Sequence, residues 1–162
     1  MSFGARALIR LGALAHNLEV IRSAAPDARI MAVIKANAYG HGMVAVAQHL
    51  DAADSFAVAR LPEAQSLRES GINKPIVLLA GAATDEELRV AFAGNIVLVV
   101  HDIEQVRMLE RTSGTAGVVW LKFDTGMYRL GFRPDDAAGV LPRLEAAAGV
   151  SELRLMRDCA SA

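Results

Sequence analysis

Residues 75–100 read PIVLLAGAATDEELRVAFAGNIVLVV. Two apolar runs, Pro75–Ala80 and Asn95–Val100, flank a stretch with helical spacing from Thr84 to Phe92. Neither run alternates, as expected for strands buried on both faces of a parallel sheet. Thr84 precedes Asp85, Glu86 and Glu87, so a capping hydroxyl and three first-turn acids face the positive end of the helix. This is a β-α-β unit, and working outward the pattern repeats.

Further apolar runs lie at Arg29–Lys35, Ser55–Ala59 and Gly117–Phe123, and Glu152–Met156 suits a sixth strand. Helical stretches fall between and after them at Gly42–Leu50, Leu61–Ser70, Asp102–Thr112 and Asp135–Ala147. Asp102 opens one helix, Pro62 sits in the first turn of another, and Gly71 closes it. Ahead of these, Ala5–Leu11 alternates like a strand and Leu14–Ala24 has helical spacing. Serial β-α units define an α/β protein, either a doubly wound sheet or a TIM barrel. No GxGxxG turn follows the first strand, which weakens the dinucleotide-binding version. A full barrel takes about eight units and ~250 residues, so a barrel reading of 162 residues implies a partial one and an incomplete chain.

Composition narrows the function classes. The chain is 53% hydrophobic and 22% charged, with 17 basic and 18 acidic residues and a net charge of -1. No basic face for nucleic acid and no charged tail for a membrane surface emerges. No apolar run approaches the ~18 residues of a spanning helix. A lone cysteine, Cys159, excludes an internal disulfide and a cysteine-based metal cluster and fits a cytoplasmic setting. These features predict a single soluble globular domain.

Two segments carry chemistry. In AVIKANAYGHG (32–42) an apolar strand delivers Lys35 to the strand end that faces the active site in β-α folds. Lost hydration there disfavours an ammonium and makes the nucleophilic amine more available. In WLKFDTGMYRLGF (120–132) a second strand ends in Lys122 and Asp124 and runs into Arg129; the plain expectation is an ion pair of Asp124 with Lys122 or Arg129. His41, between glycines, suits a structural hydrogen bond in a tight turn, and Glu63 and Arg68 read as solvated helix-face residues.

KANAYGHG after an apolar strand resembles the pyridoxal-phosphate attachment signature of alanine racemases, and Lys122–Gly131 is similar to their K-x-D-T-G-M-x-R-hydrophobic-G motif. RALIRLGALAHNL (6–18) and FAVARLPEAQSLRESGINKPIVLLAG (56–81) extend the resemblance, and the FDTGMYRLGF wording leans towards the catabolic type. The resemblance implies a fold-type III enzyme whose N-terminal partial TIM barrel occupies residues 1–162, with the C-terminal β domain absent. It implies that Lys35 holds pyridoxal 5'-phosphate as an internal aldimine and is one of two catalytic bases. Tyr39 would bind the cofactor phosphate, Arg129 the substrate carboxylate, and Lys122 would be carbamylated so as to orient the arginine. The second base would be a tyrosine from the β domain of a partner subunit in a homodimer, and the short chain would be inactive alone. One departure stands out: Asp158 follows Met156 and Arg157 where the family places a histidine against the cofactor ring. The alternative is a non-catalytic pyridoxal-phosphate carrier barrel of the cofactor-homeostasis type.

Overall fold

The structure, a computed structural model, describes residues 4–158. Helix α1 (Leu11–Ala24) leads into β1 (Met31–Val33) and a short turn of helix, α2 (Lys35–Tyr39). There follow α3 (Met43–His49), β2 (Ser55–Val58), α4 (Leu61–Glu69), β3 (Ile76–Leu78), α5 (Asp85–Ala93), β4 (Ile96–Val100) and α6 (Ile103–Arg111). The chain ends its described course through β5 (Gly117–Asp124), a 3-10 turn at Pro134–Asp136, α7 (Ala137–Ala146) and β6 (Val150–Asp158).

All five strand pairings are parallel, and the spatial order β1-β2-β3-β4-β5-β6 is the chain order. A doubly wound sheet reverses direction at a switch point. Here every crossover steps the same way, and right-handed crossovers then put all helices on one face. That is a barrel wall of six strands, the partial TIM barrel expected from the sequence.

The two faces hold separate cores. Phe56, Ile76, Leu78, Leu98 and Leu121 point towards the helices and are fully buried there. Their alternates Ala57, Val77 and Val99 face the barrel interior with Met31, Leu79, Trp120 and Met156. The expected caps are present: Thr84 Oγ1 accepts from the Glu87 N–H at 3.1 Å, and Asp102 Oδ1 accepts from Glu104 and Gln105 at 2.8 and 3.1 Å.

The anticipated strand at Ala5–Leu11 is absent. Residues 4–10 have no regular structure, Leu11 begins α1 instead, and Leu8 is exposed. Alternation makes a strand only where a neighbour accepts its hydrogen bonds, and no described strand lies alongside. β6 is longer than anticipated, because it continues in register with β5 from Trp120↔Arg154 to Asp124↔Asp158. Arg68 is also not a solvated residue: its guanidinium donates to the carbonyls of Ile72, Lys74, Gly94 and Asn95 at 2.7–3.0 Å, sewing the end of α4 to the starts of β3 and β4. Desolvation lowers its pKa from the ordinary arginine value. No described helix is long and apolar enough to cross a membrane.

Candidate active site

The carboxyl ends of the strands open onto a cavity of about 430 Å³. Lys35, Tyr39, Lys122, Arg129 and Asp158 line its polar side, and Val33, Leu79, Leu130 and Met156 its apolar side. The four residues singled out from sequence therefore converge, although 94 positions separate Lys35 from Arg129 (129 − 35).

Lys35 enters the cavity from an unusual turn. Ala36, Asn37, Ala38 and Tyr39 all have φ between +52° and +56°, so α2 is one turn of left-handed helix built from non-glycine residues. Each such residue costs roughly 1–2 kcal/mol against the right-handed form. The turn persists because its polar groups are met from several directions. Ala38 N–H donates to Ile34 O at 2.8 Å, and Gly42 N–H to Asn37 O at 2.9 Å. Asn37 Oδ1 accepts from Met43 N–H at 2.8 Å, and His41 Nδ1 lies 2.7 Å from Ala38 O, the structural role expected of it. Gly40, at φ +86°, relieves the strain where the left-handed path ends.

The remaining tie comes from Glu63. Its Oε1 accepts from the Ala36 N–H at 2.6 Å, and its Oε2 from the Ala59 and Arg60 N–H groups at 2.8 and 3.0 Å. Glu63 is thus a strap between the start of α4 and the residue after Lys35, which overturns its reading as a solvated helix-face residue. An acid in the first turn after Pro62 carried the signal for capping, but nothing local marked the contact with Ala36.

The second segment differs from expectation. Asp124 pairs with neither Lys122 nor Arg129. Its Oδ1 accepts instead from the backbone N–H groups of Gly126, Met127 and Tyr128 at 2.9–3.0 Å, folding the DTGM loop around the carboxylate. The Gly126 and Tyr128 hydrogen bonds hold its pKa below the ordinary aspartate value, with smaller help from Met127 and Arg129. The loop closes through Asp124 N–H to Phe132 O at 2.8 Å and Phe132 N–H to Lys122 O at 2.9 Å. Gly131 is required there, since its φ is +129° and a Cβ would stand 2.7 Å from the Asp124 nitrogen.

Lys122 is one of two buried polar side chains among the described residues, and its partner is Asp158. Nζ donates to Asp158 Oδ2 at 2.6 Å, and the same oxygen lies 3.6 Å from Arg129 Nη2. Thr125 Oγ1 donates to the Asp158 carbonyl at 2.6 Å. Cys159 lies outside the described residues.

A half-buried amine, a phenol and a guanidinium around an apolar floor suit a planar, anionic aldehyde cofactor and a small carboxylate. Residues 9–162 match the family described as alanine racemase, N-terminal domain, and the chain belongs to that family. The alanine racemase of Nitrosococcus oceani is 48% identical over 159 residues, covering 97% of this chain and 45% of that protein. That of Yersinia pestis is 50% identical over 147 residues, covering 90% and 41%. Among solved structures, the biosynthetic alanine racemase of Pseudomonas aeruginosa superposes with a TM-score of 0.86 at 39% identity, over 93% of this chain and 42% of that one. A histidine racemase from Leuconostoc mesenteroides superposes at 0.82 with 30% identity, over 93% and 42%. The chain spans less than half the length of these relatives.

Proposed function

We propose that this chain is the lysine-bearing half of a pyridoxal-phosphate-dependent alanine racemase acting in the cytoplasm. One observation carries the reading. The sequence has three lysines. Lys74 Nζ is bound to Asp51 and the Ala53 carbonyl, and Lys122 to Asp158. Lys35 alone reaches the cavity with an amine that no described side chain or carbonyl holds.

Lys35 would hold the cofactor, Tyr39 would donate its hydroxyl to the cofactor phosphate, and Arg129 would grip the substrate carboxylate with its forked N–H donors. Bound pyridoxal phosphate supplies an electron sink that acidifies the α-carbon of an amino acid. The chain's own part is acid–base and positional. Lys35 Nζ takes and returns the α-proton on one face of alanine, Arg129 fixes the carboxylate so that this face meets the amine, and the apolar floor of Val33, Leu79 and Met156 limits water. Glu63 keeps the left-handed turn in place beneath Lys35. Inversion also needs a base on the opposite face, which the resemblance assigns to a tyrosine of the C-terminal β domain of a second subunit in a homodimer. A single base contributes only part of the ~10²–10⁴-fold available from acid–base catalysis, so the 162-residue chain should not racemise alanine alone.

The test is to incubate the chain with pyridoxal phosphate, reduce with borohydride and map the peptides. The label is expected on the AVIKANAYGHG peptide and should vanish in Lys35→Arg. Equal labelling of Lys74 and Lys122 overturns the assignment. Racemisation of alanine by the short chain at enzyme-like rates would show that the second base is not needed.

A further inference from the structure

One carboxylate oxygen, Asp158 Oδ2, faces two cations: Lys122 Nζ at 2.6 Å and Arg129 Nη2 at 3.6 Å. The three side chains differ in freedom. Lys122 is 7% exposed and fixed by packing inside the barrel. Asp158 is 23% exposed, held at its carboxylate by Lys122 and at its carbonyl by Thr125. Arg129 is 55% exposed on a loop and its guanidinium makes no described hydrogen bond shorter than this ion pair, so it is the one member with rotamers to lose. Asp158 is therefore a fixed negative point at the cavity wall, beside the more exposed of its two cations.

We propose that Asp158 is the positioning residue for Arg129. Anchored by Lys122, its carboxylate draws the guanidinium over the cavity mouth, leaving the outer N–H donors free for a substrate carboxylate. Lys122 works in this site unmodified. Carbamylation would add CO₂ to a neutral amine with release of a proton, and the carbamate so formed would set a second negative charge against the Asp158 carboxylate, 2.6 Å from Nζ. The room beside Nζ and the task of orienting Arg129 are both taken by the carboxylate from β6. The proposal rests on the reading of Arg129 as the carboxylate clamp.

The sign of one measurement separates positioning from plain charge. Asp158 repels an incoming carboxylate, so if charge were its only effect, Asp158→Asn would tighten anion binding. Positioning requires the opposite. The experiment titrates acetate into the 162-residue chain carrying ¹⁵N-arginine and follows the Arg129 Nε–Hε resonance, assigned by its loss in Arg129→Lys. Asp158→Asn should weaken acetate binding about tenfold, the loss expected for one charge-assisted contact, and Asp158→Glu should restore most of it. Since a lone buried Lys122 can unfold the first variant, Lys122→Met/Asp158→Asn removes both charges together and should remain as weak. In ¹³C-bicarbonate the wild type should show no carbamate carbon. Equal or tighter acetate binding by Asp158→Asn or by the double variant overturns the proposal, as does a carbamate resonance lost in Lys122→Met. Failure of Lys35 labelling with these results intact would sink the racemase reading alone. Absence of any saturable acetate shift in the wild type would sink the clamp and the proposal with it.

Discussion

The Glu63 carboxylate and the Ala36 backbone N–H meet at 2.6 Å across 27 positions of sequence, so the residue that follows the cavity lysine is held by a helix three elements further along. The other oxygen of the same carboxylate accepts from the N–H groups of Ala59 and Arg60, the two residues that lead into α4. One side chain thus caps a helix and restrains four left-handed residues. Glu63→Ala should lower stability by about 1.5–3 kcal/mol, the usual range for hydrogen bonds to a charged group. Urea melts give the total. Amide exchange gives the location, with Ala36 expected to lose protection together with Ala59; protection unchanged at Ala36 would show that the turn holds itself.

Breaking the Lys122–Asp158 pair from one side should cost more than removing it whole. Lys122→Ala leaves a partly buried carboxylate beside Arg129 alone, an expected loss of about 3 kcal/mol, the lower end of the range because Asp158 retains some solvent. Lys122→Met/Asp158→Leu replaces the pair with apolar volume and should melt close to the wild type. A double variant less stable than Lys122→Ala would contradict this.

Acid should loosen the DTGM loop before it unfolds the barrel. The folded-state pKa of Asp124 is depressed by the Gly126 and Tyr128 N–H groups. Its contribution is therefore present above the unfolded aspartate value of about 3.9 and is lost as pH falls through the folded value. Asp54, held down by the Ile30 N–H and Arg22, and Glu110, held down by Arg143, act in the same direction. Stability should be flat from about pH 7 to 5 and fall below about 4. Asp124→Asn should show a shallower acid slope, and melting temperature against pH decides it.

Among the described residues, both outer strands of the sheet have a neighbour on one side only, β2 for β1 and β5 for β6. Leu155 on β6 is 62% exposed, beside a concavity of about 460 Å³ lined by Phe123, Pro134 and Ala137. An open strand edge with apolar flanks is a template for pairing between chains. The 162-residue chain should self-associate, and Leu155→Lys should shift it towards monomer without altering Lys35 labelling. Sedimentation velocity is the readout, and a monodisperse wild-type monomer would count against the edge argument.

What the sequence by itself determined follows from local physics. Continuous Val, Ile and Leu runs placed β2 to β5 within a few residues, and Thr84 and Asp102 placed the starts of α5 and α6, because burial periodicity and capping are set by neighbours along the chain. The KANAYGHG and KFDTGMYRLG strings marked Lys35, Tyr39, Lys122 and Arg129, which share one cavity. The tertiary structure alone decided the rest. Alternation at Ala5–Leu11 predicted a strand, but strand formation needs a partner that local pattern cannot supply. Serial β-α units fitted two architectures until the strand order excluded a switch point. Asp124, two positions from Lys122 and five from Arg129 in the string, turned to its own loop, while Asp158 reached Lys122 across 36 positions. A buried charge takes whichever partner the fold brings within reach, and that is fixed by which strand ends adjoin, a property of the sheet and not of either segment.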